Sequence, residues 1–235
     1  MKAVFIADGH LKGLDDPNQR SLVRFLDSLE GIDTLVVVGD LFDFWTGFSS
    51  VVYYRYLPVL SSLMRLREKG TSIIYLEGNH DFKMGGFFTE VLGASVYPDS
   101  CEMAADGRKV LLMHGDSIDM KRGYRLWRSF LRGPLFGGLT RILTPAFVAS
   151  VAGTLSNKSR AYGRDTAVES RQRTFARARI AQGADAVVLA HSHVPGVYVE
   201  EAGGRRGVYA NPGSWADRSY LAYSGGEFKA CRFEG

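Results

Sequence analysis

Thr34-Leu35-Val36-Val37-Val38-Gly39-Asp40-Leu41-Phe42-Asp43 is the stretch whose reading decides the architecture. Its first five residues are almost purely β-branched, the pattern of a strand buried on both faces. The run then breaks at a glycine followed by a carboxylate. Open α/β sheets place ligand sites just beyond the carboxyl ends of their strands. The same pattern recurs along the chain. Lys2–Ala7 leads into Asp8-Gly9-His10, and Ser72–Leu76 into Gly78-Asn79-His80-Asp81. Lys109–Met113 leads into His114-Gly115-Asp116, and Ala186–Ala190 into His191-Ser192-His193. The chain holds five histidines, and all five stand in these motifs. Histidine used for packing or solubility would be scattered.

Between the first strands, Pro17–Leu29 has apolar residues at helical spacing, and Val51–Lys69 reads as a second helix stopped by Gly70. This β-α-β-α-β opening argues for a sheet covered by helices on both sides. Phe87–Leu92 reads as a short helix. Ser95–Tyr97, Glu102–Ala104 and Lys109–Met113 read as shorter strands, the last two joined at Asp106-Gly107. Helical patterns fill Lys121–Gln182. The tail reads as hairpin-linked strands over Gly196–Glu200, Gly207–Ala210, Ser219–Tyr223 and Phe228–Phe233. The expected organisation is one domain over 1–235, with a helical insertion over 120–182.

At 235 residues and 46% hydrophobic composition, the chain can bury a full core without disulfides. Cys101 and Cys231 fit two structural thiols in a reducing compartment. The N-terminal apolar run is too short for a signal peptide, and no stretch supplies the ~20 apolar residues of a membrane span. A cytoplasmic location is expected. The charge is lopsided: residues 121–180 carry thirteen basic and two acidic side chains, a net of +11, against −7 for the remainder. An insertion so basic suits an anionic partner, or a solvated helical face. The arginine run Arg164, Arg171, Arg173, Arg177, Arg179 lacks the series of aromatic platforms that single-stranded nucleic acid needs, so none is expected.

The side chains brought to one rim would be Asp8, His10, Asp40, Asn79, His114, His191 and His193. This mixture of carboxylate, amide and imidazole donors suits Mn²⁺, Fe²⁺, Zn²⁺ or Co²⁺ rather than a thiolate site or an all-oxygen Ca²⁺ or Mg²⁺ site. Asp40 is a carboxylate able to bridge two cations.

In this order the motifs resemble those of the calcineurin-like metallophosphoesterases: D-x-H, G-D-x-x-D, G-N-H-D/E, a later single H, and G-H-x-H, with Ala190 in place of the last glycine. The resemblance implies a four-layer α/β/β/α sandwich with two divalent metal ions, Mn²⁺ foremost. It implies one metal on Asp8, His10, Asp40 and His193, and another on Asp40, Asn79, His114 and His191. By the same resemblance His80 is placed at the leaving oxygen and Asp81 orients it. Asp43 is either a partner to a ligand histidine or a turn residue.

Gly39–Trp45, Phe5–Asp8 and Met113–Asp116 further resemble the UDP-2,3-diacylglucosamine hydrolases of lipid A synthesis, which carry a helical cap at the position of the insertion. That resemblance implies release of UMP from a nucleotide-linked glycolipid. The insertion itself interleaves apolar residues of 131–155 with arginines, which suits an acyl chain or peripheral contact with an anionic inner membrane. Candidate substrate contacts are Arg122, Arg125, Ser156, Asn157, Lys158 and Arg160. Gly9, His80 and Asn211-Pro212-Gly213-Ser214-Trp215 depart from that narrower pattern. They leave open an enzyme for soluble phosphomonoesters, phosphodiesters or nucleotides, with a catalytically inactive binding scaffold as a third alternative. Oligomeric state is not readable.

Overall fold

A computed structural model describes residues 1–46, 52–119, 133 and 164–235. In chain order its elements are β1 (Lys2–Ile6), α1 (Pro17–Ser28), β2 (Thr34–Val38), β3 (Trp45–Thr46), α2 (Leu57–Glu68), β4 (Ser72–Leu76), β5 (Asp81–Phe82) and β6 (Ser95–Tyr97). They continue with β7 (Ser100–Ala105), β8 (Arg108–Met113), α3 (Thr166–Ala181), β9 (Ala186–Leu189), β10 (Gly196–Ala202), β11 (Arg205–Asn211), β12 (Ser219–Ser224) and β13 (Glu227–Arg232).

Local chemistry explains the ends. The Asp16 side chain accepts from Asn18 N at 2.9 Å, and Pro17 occupies the first turn, so α1 starts where its donors are satisfied. α2 begins later than the expected Val51. Pro58 marks its first turn, and Tyr54–Tyr56 forms a separate 3₁₀ turn ahead of it. Phe87–Val91 is a single π-helical turn.

Two sheets carry the chain. The first runs β13-β12-β1-β2-β4-β6, and the second β10-β11-β9-β8-β7. Three apolar layers lie between and outside them. Leu22, Phe25 and Leu26 of α1 and Leu60 and Leu63 of α2 pack with Val4, Ile6, Leu35 and Val37 on one face of the first sheet. Phe5, Val36, Val38 and Leu221 from its other face meet Val110, Leu112 and Val188 of the second. Ala176 and Ile180 of α3 cover the outer face of the second sheet at Val187, Leu189 and Tyr209. The result is the four-layer α/β/β/α sandwich.

The expectation of helices on both faces of the first sheet is therefore corrected. Strands β1, β2, β4 and β6 pair in parallel and are added in one direction. Right-handed crossovers that never reverse direction put α1 and α2 on the same face. The second sheet covers the other.

Among the described residues, no helix is long and apolar enough to cross a membrane. Cys101 and Cys231 are free thiols. Most of the expected insertion, with Arg122, Arg125, Ser156, Asn157, Lys158 and Arg160, lies outside the described residues. The helix at its end, α3, is the outer layer of the sandwich. Its arginines are largely paired within the chain. Arg173 and Arg177 reach the buried Glu200 at 2.7 and 2.5 Å, and Arg164, two residues before the helix, reaches Asp217 at 3.3 Å. Phe175, the aromatic that does stand within this run, packs toward the sheet and lies under Arg179.

Candidate metal centre

Five strand ends converge on one rim. Backbone bonds fasten them to each other: Asp8 N donates to Gly39 O at 3.1 Å, His10 N to Asp40 O at 3.1 Å, and Ala190 N to His114 O at 2.9 Å. Side chains complete the fastening. His191 N donates to Asp8 Oδ2 at 2.9 Å, and His80 N to Asp40 Oδ1 at 2.8 Å.

The cost of this arrangement is local strain. Among the described residues, eight that are not glycine have positive φ, and five of them are Asp8, His10, Asp40, His191 and His193. Each such left-handed residue costs on the order of 1–3 kcal/mol, and strain of this kind gathers where side chains must be aimed at a common point. Two close approaches demand small residues. A Cβ on Gly78 would lie 2.0 Å from Asp40 Oδ1, and one on Gly9 would lie 2.8 Å from Leu41 O. The second explains why Gly9 stands before His10: the loop backbones touch there. Gly78→Ala is expected to displace the Asp40 carboxylate and to lower metal-dependent turnover at least about tenfold. Turnover of the purified variant under saturating Mn²⁺ tests this, and an unchanged rate would show that the loop yields.

Among the described residues, three groups of His and Asp side chains each bring their donor atoms within 4.8 Å of one another: Asp8, His10 and His193; His10, Asp40 and His80; and Asp40, His114 and His191. The donor chemistry fits cations. His114 Nδ1 donates to Val38 O at 2.8 Å, which turns Nε2 inward, 3.5 Å from Asp40 Oδ2, where it would exchange its proton for a bound cation. That Nε2, Asn79 Oδ1 and Asp8 Oδ1 are buried atoms that make no hydrogen bond. Buried polar atoms are otherwise almost always satisfied, so unpartnered atoms on three of the motifs that meet here fit a bound cation.

The electrostatics agree. Burial would raise the Asp8 and Asp40 carboxyls, yet the imidazoles around them hold both below the ordinary range, Asp40 well below. Burial would likewise lower His114, but Asp40 and Asp8 hold it well above its usual value. Burial wins at His10, which falls to about 4 with help from the nearby His80 and His193, and at His191, which is also lowered. The paired carboxylates thus draw positive charge into the rim.

The expected catalytic pair separates. His80 Nδ1 contacts Asp43 O at 2.9 Å, so the backbone of Asp43 is what orients this ring. The Asp81 carboxylate accepts instead from Asp40 N, Leu41 N, Gly78 N and the Tyr75 hydroxyl. Two further fasteners carried no role in the sequence. Ser214 Oγ donates to Asp8 O at 2.7 Å, and Asn211 Nδ2 to Ser192 Oγ at 3.0 Å. Both belong to the Asn211–Trp215 turn, whose Asx and Ser chemistry was the legible signal.

Fold and donor set together define a metallohydrolase. A family model described as calcineurin-like phosphoesterase matches residues 1–195, and the chain belongs to that family. The UDP-2,3-diacylglucosamine hydrolase of Pseudomonas paraeruginosa is 30% identical over 220 residues, covering 92% of this chain and 91% of the relative. That of Pseudomonas aeruginosa is 31% identical over 200 residues, covering 83% of each. That of Ectopseudomonas mendocina is 29% identical over 237 residues, covering 98% of each. This chain is accordingly a hydrolase of a family that works with divalent metals.

Proposed function

We propose that this chain hydrolyses the pyrophosphate bond of UDP-2,3-diacylglucosamine, giving UMP and 2,3-diacylglucosamine 1-phosphate. The observation that carries this is the near end-to-end match to relatives named for that substrate. The proposed ligand sets are Asp8, His10, Asp40 and His193 for one ion, and Asp40, Asn79, His114 and His191 for the other, with Mn²⁺ as the native metal. When bound, such a pair supplies an activated water and offsets charge on the phosphoryl oxygens.

The chain's own residues do the rest. Attack at the nucleotide-side phosphorus breaks its bond to the bridging oxygen, which leaves on the sugar phosphate. With His80 Nδ1 committed to Asp43 O, proton exchange at that oxygen falls to Nε2. Asp43, Asp81, Ser214 and Asn211 hold the loops. The basic, apolar insertion, through residues such as Arg122, Arg125, Ser156, Asn157, Lys158 and Arg160, would receive the glycolipid at the cytoplasmic face of an anionic membrane.

A second reading, turnover of soluble phosphoesters or nucleotides, draws support from His80 and the Asn211–Trp215 turn, which follow the broader superfamily. Incubation with UDP-2,3-diacylglucosamine and Mn²⁺ separates the two. UMP release is expected, and brisk turnover of a soluble nucleotide without UMP release from the glycolipid would reverse the assignment.

A further inference from the structure

α3 buries a stripe on the second sheet at Gln172, Ala176 and Ile180, spaced four residues apart. Two members are apolar, as packing requires. The first is a glutamine with no exposed surface. A buried amide costs free energy unless its donors and acceptor are all used, so its presence on an apolar stripe calls for partners. Two of them, at Ala190 and Asn211, adjoin the rim, and the third is Tyr209 in the sheet beneath α3. Gln172 Nε2 donates to Ala190 O at 2.7 Å, the carbonyl directly before His191. Because a carbonyl only accepts, this bond also fixes which way the amide faces. Gln172 Oε1 then accepts from the Tyr209 hydroxyl at 3.1 Å and from Asn211 Nδ2 at 3.4 Å. Asn211 passes the connection to Ser192 Oγ, between His191 and His193.

The same amide touches the other histidine loop. A Cβ on Gly115, the residue after His114, would lie 2.6 Å from Gln172 Nε2, so the glutamine fills the space beneath that turn. A second bond ties the start of α3 to the same place: Asp165 N donates to Ser192 O at 2.9 Å. His191 and His193 are both held at positive φ, so their loop depends on such bonds to stay in its strained form.

We propose that Gln172 is a positioning residue for the metal centre, setting the loops that carry His114 and His191 through Ala190 O and Gly115. The proposal rests on the metal reading above. It also links the trailing end of the insertion to the rim through α3. Gln172 touches no proposed ligand atom; it acts through backbone.

The test is calorimetric titration of the full chain, stripped with chelator, with Mn²⁺ alone. Gln172→Leu fills the space and removes every polar contact. Gln172→Glu keeps the shape and the acceptor, and removes the donor to Ala190 O. Both are expected to weaken Mn²⁺ binding about tenfold or more, the usual effect of removing a group that supports a ligand from behind. The loss should be larger for the ion on His114 and His191. If Gln172→Leu does not fold, Gln172→Glu carries the test alone. A lower melting temperature with wild-type Mn²⁺ affinity would mean that Gln172 only packs the helix, and would overturn the proposal. Failure of the wild-type chain to bind stoichiometric Mn²⁺ would instead overturn the metal reading on which it rests.

Discussion

Asp40→Asn is expected to lose at least about 10³-fold in metal-dependent turnover while the chain stays folded, the scale seen when one member of an interdependent catalytic set is removed. The carboxylate is 1% exposed and belongs to two of the three donor groups at the rim. Its Oδ2 faces His114 Nε2 at 3.5 Å, and its Oδ1 accepts from His80 N at 2.8 Å. The asparagine keeps an acceptor for His80 N and tolerates the left-handed backbone that Asp40 adopts, so the loop is preserved. What it removes is the negative charge that two cations would share. His114→Ala should fall in the same direction, since it deletes an inward-facing ring nitrogen whose orientation Val38 O sets. The measurements are bound metal, circular dichroism, and Mn²⁺-dependent hydrolysis of a chromogenic phosphodiester. Full activity in Asp40→Asn, or in chelator-stripped wild-type protein, would overturn the two-metal mechanism.

The inner strands and their rim were legible because burial on both faces leaves an unbroken apolar run with a definite end. Thr34–Val38 and Ser72–Leu76 form strands over those same residues. Motifs that terminate such parallel runs lie at one edge of their sheet, so convergence within each sheet followed from order, whereas the meeting of the β1-β2-β4 edge with the β8-β9 edge of the second sheet did not. Sidedness was not legible. Whether α2 returns to the face of α1 depends on the direction in which strands are added, and no residue of either helix encodes that. Nor was side-chain direction within a motif. Asn79 and Asp81 stand two residues apart, yet Asn79 Oδ1 is buried without a hydrogen bond while the Asp81 carboxylate is taken up by backbone donors and the Tyr75 hydroxyl. Gln172 was legible in principle: Ala176 and Ile180 mark a buried stripe, and the glutamine falls on it. Surrounding arginines hid the signal, because the charge of α3 invited a reading toward an external anion. Two of those charges instead meet Glu200, which is 2% exposed.

Asp81→Ala should destabilise the chelated chain by roughly 3–5 kcal/mol, the scale for removing a buried charged partner from its hydrogen-bonded neighbours. The residue has no exposed surface. Its Oδ1 accepts from Asp40 N and Gly78 N, both at 2.9 Å, and its Oδ2 from Leu41 N and the Tyr75 hydroxyl, both at 2.6 Å. Alanine would take the side-chain acceptor from these donors and from Phe42 N at 3.4 Å, while Gly78 N keeps the Asp81 carbonyl at 3.0 Å. Burial and the nearby Asp40 push this carboxyl up to about 7, against the pull of those donors. The loop that holds Asp40 at positive φ is thus bound to the Gly78 turn through one side chain, and losing it should loosen both. Asp81→Asn, which keeps one acceptor but turns a donor toward the others, should fall between alanine and wild type. Urea unfolding followed by circular dichroism gives the stabilities, and Mn²⁺ titration gives the effect on the rim. A residue that acted only by orienting His80 would lose turnover at unchanged stability. Asp81→Ala within about 1 kcal/mol of wild type would mean that water replaces the carboxylate at its donors, and Asp81 would return to the catalytic role that its place beside His80 first suggested.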